Sequence, residues 1–420
     1  MNSPSPERVH DAGVITLVGL AHGTSHFFHL VLPPLFPWFM SDFSLSYTDV
    51  GLLTTTFFVL SGIGQALAGF VVDRIGAFRV LLFGIGALAL SGFVLSISNS
   101  YAMLMVTAAV AGVGNSIFHP ADFTLLNHRV SGPRLGHAFS VHGLSGNLGW
   151  AIAPVLMAGT ASIAGWHVAG LVAAAVGTTV FAILWFRRGL LVYALREHAA
   201  EAAAGAPAAP PAHPLAFLSS GPVWTSFGFF LVTTMAFGIL QNYAPAILSE
   251  VYGVSYVLAS SGLTAYLLGS GAGMIAGGFV AERGGGMVAV ALGGAAAMAA
   301  VLASGAMPAA ALWPLMAGMG FGVGMAGPGR DLLVRRTATS RFGRSSFGRV
   351  YGFVYSGLDT GQALSPVLFG PLLDAGRFRQ ALVAVAFLQV VGVLFALHVG
   401  GRVRAAATRP PIRESLLPNP

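Results

Sequence analysis

The sequence predicts an all-α membrane protein of twelve transmembrane helices, arranged as two six-helix, pseudo-symmetric bundles. Three observations predict it. The chain of 420 residues is 55% hydrophobic and 8% charged, with a mean hydropathy of +0.78, whereas a soluble domain carries about 25% charged residues. So few charges cannot clothe the water-facing surface that a soluble chain of this length needs. Apolar stretches of about 20 residues, enough to span a hydrocarbon layer of about 30 Å, follow one another with short polar breaks. The first half of the chain also recurs, motif by motif, in the second.

The stretches fall near residues 12–37, 47–71, 78–98, 101–127, 138–160, 166–187, 222–248, 256–281, 286–305, 309–333, 349–373 and 379–400. MNSPSPERVHDAG, at the start, has no signal-peptide cleavage pattern, so the first stretch is expected to stay as a helix. That helix contains HGTSHFFH. At about 100° per residue, His22, His26 and His29 share one narrow stripe. Polar groups inside a bilayer are functional candidates by default, and an imidazole with an ordinary pKa of about 6.5 exchanges protons at cellular pH. The stripe is therefore a candidate site for a coupling proton or a substrate; the alternative is that it bonds neighbouring helices in place.

Helix two ends in GFVVDRIG, with Gly69, Asp73, Arg74 and Gly76. Helix four carries His119 and Asp122, three residues apart on one face, with Pro120 loosening the turn between them. Counting from the outer end places Asp122 near the cytoplasmic border. In helix five, Asn147 and Gly149 precede Pro154, Val155 and Leu156. Residues 189–220, with REHAAEAAAGAPAAPPAHP, read as an Ala/Pro-rich cytoplasmic linker. Helix seven offers Gln241, Asn242 and Tyr243. After helix eight stands GFVAERGG, in which Gly278, Glu282, Arg283 and Gly285 repeat the four positions after helix two. Helix ten ends with Arg330 and Asp331; Asp331 is the positional twin of Asp122, and the pair is expected at a cytoplasmic gate. In helix eleven, Gly361, Pro366, Val367 and Leu368 repeat the helix-five pattern, and Asp359, the counterpart of Asn147, lies near mid-membrane as a candidate proton carrier. The domains expected are residues 1–188, a six-helix bundle; 189–220, the linker; 221–402, the second bundle; and 403–420, a tail.

Residue types that are missing exclude whole chemistries. The chain has no cysteine, and all 21 basic residues are arginine. There is no thiolate nucleophile or ligand, no GxxxxGK[ST] phosphate loop and no Schiff-base lysine. The net charge of +7 and pI of about 10.2 suggest an anionic partner, but apart from Arg377 and Arg379, in a loop on the other side, the arginines cluster in loops on one face of the membrane. Topology therefore accounts for the charge, and nucleic acid is not expected. By the positive-inside rule that face is the cytoplasm, with both termini on it.

Gly69, Asp73, Arg74, Gly76 and Arg79 match GxxxDRxGxxR, the signature loop between helices two and three of the major facilitator superfamily, which the chain resembles over nearly its whole length. The resemblance implies the major facilitator fold, an inner-membrane location, monomeric action and alternating access. It implies that Asp73 meets the N-terminus of helix eleven, where the helix dipole favours an anion, with Arg74 and Arg79, and with Glu282, Arg283, Arg330 and Asp331 in the other half, as gating residues. It also implies a cavity lined by helices one, four, seven and ten, so that Gln241, Asn242 and Tyr243 would face His29 across it. GVGNSIFHPA and GPRLGHAFSVHGLSGNLG are similar to the fosmidomycin-resistance branch of drug exporters. The arginine that many drug/proton antiporters carry early in helix four has no counterpart in YAMLMVTAAVAGVG.

These readings lead to a secondary transporter, a proton-coupled antiporter for efflux of a small drug-like or amphiphilic solute. An alternative is passage of a metal ion or chelate along the histidines with Met316, Met319 and Met325. A membrane-embedded enzyme using His119 and Asp122 as acid and base is the alternative of another class; HExxH and GxSxG are both absent. No cofactor is expected, and no metal is assigned.

Overall fold

The computed structural model describes residues 6–192, 216–280, 283, 285–342 and 347–407. The N-terminal half runs α1 (Pro6–His29), α2 (Phe36–Phe43), α3 (Tyr47–Ile75), α4 (Ala77–Ser96), α5 (Tyr101–Asn115), α6 (Phe118–Arg129), α7 (Leu135–Ala164) and α8 (Trp166–Phe186). The C-terminal half runs α9 (Gly221–Tyr252), α10 (Tyr256–Val280), α11 (Gly285–Ser304), α12 (Leu312–Phe342), α13 (Phe347–Asp374) and α14 (Phe378–Ala407). Ten helical segments among the described residues are long and apolar enough to cross a membrane. The helices α3 and α13, of 29 and 28 residues, reach about 40 Å at 1.5 Å per residue and complete the twelve. Large apolar side chains such as Ile163, Phe186 and Phe279 point outward, as a lipid-facing surface requires.

Two stretches expected as single helices are broken. The first stops at His29, and Pro33 and Pro34 open a short 3-10 turn before α2; proline has no N–H to continue the ladder. The fourth breaks at Ser116 and Ile117, because Pro120 cannot donate to the carbonyl of Ser116. This second break sets how Asp122, expected near the cytoplasmic border, is surrounded. The redirected α6 tucks it against His22 of α1 and His142 of α7 with no solvent exposure.

Helix ends are set locally. Ser46 caps α3 in a reciprocal box with Asp49 (2.9 and 3.1 Å), and Ser100 caps α5. Gly76, at φ +90°, is the single residue between α3 and α4, a backbone turn that a side chain strains. Within the N-terminal half, α1 packs on α7 and α4 on α8; within the C-terminal half, α10 packs on α12, α11 on α14 and α9 on α13.

The halves meet along two seams, α3 against α13 and α7 against α10. At the end opposite most of the arginine loops, beside Arg377 and Arg379, both carboxylate oxygens of Asp374 accept from α3: Oδ1 from the Tyr47 N–H (2.6 Å), Oδ2 from the Thr48 N–H (3.1 Å) and hydroxyl (2.5 Å). Thr55 bonds the Ala363 carbonyl, Tyr243 the Tyr47 carbonyl, Tyr256 the Pro33 carbonyl and Thr264 the Ala151 carbonyl. At the arginine-bearing end of the N-terminal half, Arg129 bonds the Leu190 carbonyl and Asp11 accepts from Ser131, contacts internal to that half. Most of the expected linker, residues 193–215, lies outside the described residues, as do residues 408–420; 216–219 form one 3-10 turn.

Candidate functional site

The polar residues of α1 gather partners from four other helices. Gly23, Gly146 and Gly149 bring α1 and α7 together: a Cβ on Gly146 would lie 2.5 Å from His26 Nδ1 and 3.0 Å from His22 Nε2. Small residues at such positions allow close helix approach. Into the space between α1, α6 and α7 come His22, His26, His119, Asp122 and His142.

Asp122 sits at the base of this group. His142 Nε2 lies 3.1 Å from Asp122 Oδ2, and His22 Nδ1 lies 3.3 Å from the same oxygen. The His22 and His142 rings stack at 3.5 Å and 23°. His22 is 3% exposed and Asp122 0%, yet His22 Nδ1, His26 Nδ1 and Asp122 Oδ1 have no hydrogen-bond partner. Buried polar atoms normally find one, so the cluster has unused binding capacity. His119, by contrast, is exposed, and its Nδ1 bonds Gln65 Oε1 of α3 at 2.9 Å.

His29 plays a different part. The Trp150 indole N–H donates to His29 Nδ1 (3.2 Å), and His29 Nε2 meets Asn115 Oδ1 at 3.0 Å. Indole is a donor only, so Nδ1 accepts and Nε2 carries the hydrogen: the ring is neutral and held at both nitrogens. Asn115 also accepts from Ser25 and donates to Ser61, which binds α1, α3 and α5 together.

Two polar residues mark the seams. Asp359 on α13 faces Gly62 of α3, its Cβ 3.4 Å from where a Gly62 Cβ would stand; Asn147 on α7 faces Gly271 of α10 at 3.5 Å. The two are pseudo-symmetric in place as well as in sequence. Asn147 donates to Gly143 O and toward Met274 Sδ, leaving its Oδ1 unpartnered. Among the described residues no basic side chain pairs with Asp359.

The helix-seven trio does not face His29. Gln241 bonds Gln362 of α13, Asn242 bonds the Gly238 carbonyl, and Tyr243 reaches Tyr47; all three are buried. Gln241 and Tyr243 tie α9 to α13 and α3, and Gly238 leaves room for Gln362 and Ser365 against α9. Of the residues expected at gates, Arg74, Arg79 and Arg283 are exposed, and Arg330 lies over the Phe230 ring, 4.2 Å from its centroid. Glu282 and the side chains of Asp73 and Asp331 lie outside the described residues.

Reading the sequence alone missed His142, Gln65, Asn115 and Trp150. His142 stood in the quoted GPRLGHAFSVHGLSGNLG, and a histidine seven residues into a membrane helix is itself a signal. Gln65 and Asn115 are single polar residues in apolar runs and carried the same signal more faintly.

A family profile described as Major Facilitator Superfamily matches residues 18–341. The chain is 30% identical over 147 residues to the fosmidomycin resistance protein of Escherichia coli, covering 35% of this chain and 36% of that protein. It is 29% identical over 139 residues to a nitrite extrusion protein of Bacillus subtilis, covering 32% and 34%. It is 24% identical over 181 residues to a multidrug resistance protein B homolog of Mycobacterium tuberculosis, covering 42% and 33%. The matched stretch thus spans about a third of each relative. Two crystal structures of a bacterial homolog of the human lysosomal transporter Spinster, one inward-facing and occupied, the other inward-facing and unoccupied, superpose with TM-scores of 0.71 and 0.73 at 15% identity, over 97% of this chain and 100% of theirs.

Proposed function

The chain belongs to the Major Facilitator Superfamily, a multi-pass transporter family and not an enzyme family, and from that premise we propose that it exports a small drug-like or amphiphilic solute across the cytoplasmic membrane in exchange for protons. Both termini are cytoplasmic in this reading, because the arginine loops share one end of the bundle. The two halves rock about a central site, and contacts such as Asp374 with α3 hold the outer end closed. The relatives named for drug resistance and extrusion support an outward direction.

One observation carries the coupling: Asp359, a carboxyl at the seam between the halves, with no basic partner among the described residues. An open seam and a closed seam accommodate its ionised and protonated forms differently. A proton taken up at Asp359 from one side and released to the other as the seam switches would move inward for each outward passage of solute.

The test is pH-gradient-driven flux in proteoliposomes, over a panel of antibiotics, organic acids and amphiphiles. The parent is expected to move at least one compound against its gradient, and Asp359→Asn to lose at least tenfold of that uphill flux while keeping downhill exchange. An Asp359→Asn protein with the parent's gradient dependence would remove Asp359 from the coupling.

A further inference from the structure

The group of imidazoles has a geometry that proton coupling at Asp359 does not use. We propose that His22, His26 and His119 bind an exchangeable divalent transition cation, of the zinc, cobalt or nickel class, which the protein carries as cargo. The inference rests on the transporter reading above and adds a solute class to it.

Four features of the trio support the site. One ligand nitrogen from each of the three histidines lies within 4.8 Å of the others. Four-coordinate zinc with bonds of about 2.0–2.1 Å sets its donors about 3.3 Å apart, so closure needs shifts of about 1–1.5 Å, within reach of side-chain rotation. His22 and His26 sit four residues apart on one helix, a spacing that lets two imidazoles converge on one metal. Their rings are tilted rather than parallel, 50° between His22 and His26 and 72° between His22 and His119, so in-plane lone pairs can meet at a point.

The surroundings match what metal-binding imidazoles require behind them. A ligating histidine fixes its tautomer by offering its second ring nitrogen to a carboxylate or carbonyl. His119 Nδ1 meets the Gln65 carbonyl oxygen at 2.9 Å, which leaves Nε2 free. His22 Nδ1, without a hydrogen-bond partner, lies 3.3 Å from Asp122 Oδ2, one small ring rotation from a hydrogen bond that would leave Nε2 for the metal. His142 holds Asp122 from the far side at 3.1 Å. His26 Nδ1 is buried with no partner at all.

A second trio, His22, Asp122 and His142, is equally close but is the poorer site. The His22 and His142 rings are stacked within 23° of parallel, so their lone pairs run side by side and do not converge. Asp122 and His142 therefore orient the ligands and do not bind the ion. Soft methionines add nothing: Met316 and Met319 are buried in the C-terminal half. Three protein ligands with an open fourth place characterise exchangeable sites, whereas permanent structural sites are closed by four. Here the open side is the exposed face of His119, through which an aquated ion or one held by a small oxygen-donor chelator can enter and leave.

The test uses the whole protein, purified in detergent, titrated with Co²⁺ alone and with Co²⁺ citrate, and read by visible absorption. The parent should show the intense bands of four-coordinate Co²⁺ at one ion per chain, and His26→Ala and His119→Ala should lose them. Asp122→Asn and Gln65→Leu should keep the bands but weaken binding by roughly 10–100-fold, while His167→Ala, remote from the site, should match the parent. Gel filtration checks that each variant is folded. If the parent gives only the weak six-coordinate spectrum, or His26→Ala binds like the parent, the site is overturned. Co²⁺ entry into liposomes by the parent and not by His119→Ala is expected; binding without entry would overturn the cargo role. Uphill solute flux without cobalt binding defeats this inference alone, and cobalt binding without proton-driven flux defeats the exporter reading alone.

Discussion

Trp150 and His29 show how a single indole decides what an imidazole can do. With Trp150 donating to Nδ1 and Asn115 accepting from Nε2, His29 can take a second proton only by breaking the Trp150 bond. A neutral hydrogen bond of this kind contributes about 1 kcal/mol. Trp150→Phe should therefore lower the midpoint of thermal unfolding by a few degrees, measurable as earlier loss of the monodisperse peak on heating. Gly146 acts by its lack of a side chain. Gly146→Ala would push a methyl against His26 and His22, an overpacking that destabilises by about 1–3 kcal/mol, measurable as earlier loss of the monodisperse peak on heating. The stripe of His22, His26 and His29 was legible in the sequence because helical spacing alone places it. Asn115, Gln65 and His142 were not, since each belongs to a different helix and only packing brings them to α1.

At the scale of elements, α10 and α12 approach most closely. A Cβ at Gly269, Gly273, Gly320 or Gly324 would overlap a backbone carbonyl of the partner helix, so the two backbones touch along several turns. Van der Waals contact of this kind is what holds helices together in lipid, where burial from water contributes nothing between them. Gly324→Val should abolish the folded protein on fluorescence-detected gel filtration, whereas Gly278→Ala, with open space around it, should leave the peak unchanged. Span count and order were readable from hydropathy, because each span must satisfy its backbone internally, and the repeat was readable from its motifs. The breaks after His29 and after Asn115 were not, since a proline can kink a membrane helix without ending it.

For the whole molecule, the side-chain bonds between the halves named above lie, among the described residues, toward the end that carries Asp374, and in the proposed cycle they would bias the balance between the open states. Asp374 makes three of them to the start of α3. The carboxylate is exposed, so water screens the gain, and the latch contributes about 1 kcal/mol. Asp374→Asn should shift the population of outer-closed molecules by roughly fivefold. The chain has no cysteine, so spin labels on two introduced cysteines, one at the outer end of each half, report that shift without background; an unchanged distance distribution would show that Asp374 does not hold the seam.

The exposure of Asp374 also bears on speed. A carrier must leave each of its states once per cycle, and a bond made in one state alone is added to the barrier for leaving it. Each 1.36 kcal/mol is a factor of ten in rate, so a wet latch slows departure by less than tenfold. The same three bonds in a dry seam, each contributing about 1.5–3 kcal/mol, would slow it a thousandfold or more. If the proposed cycle holds, the exposed Asp374 would make a clasp firm enough to bias one shape and loose enough to let the cycle turn over.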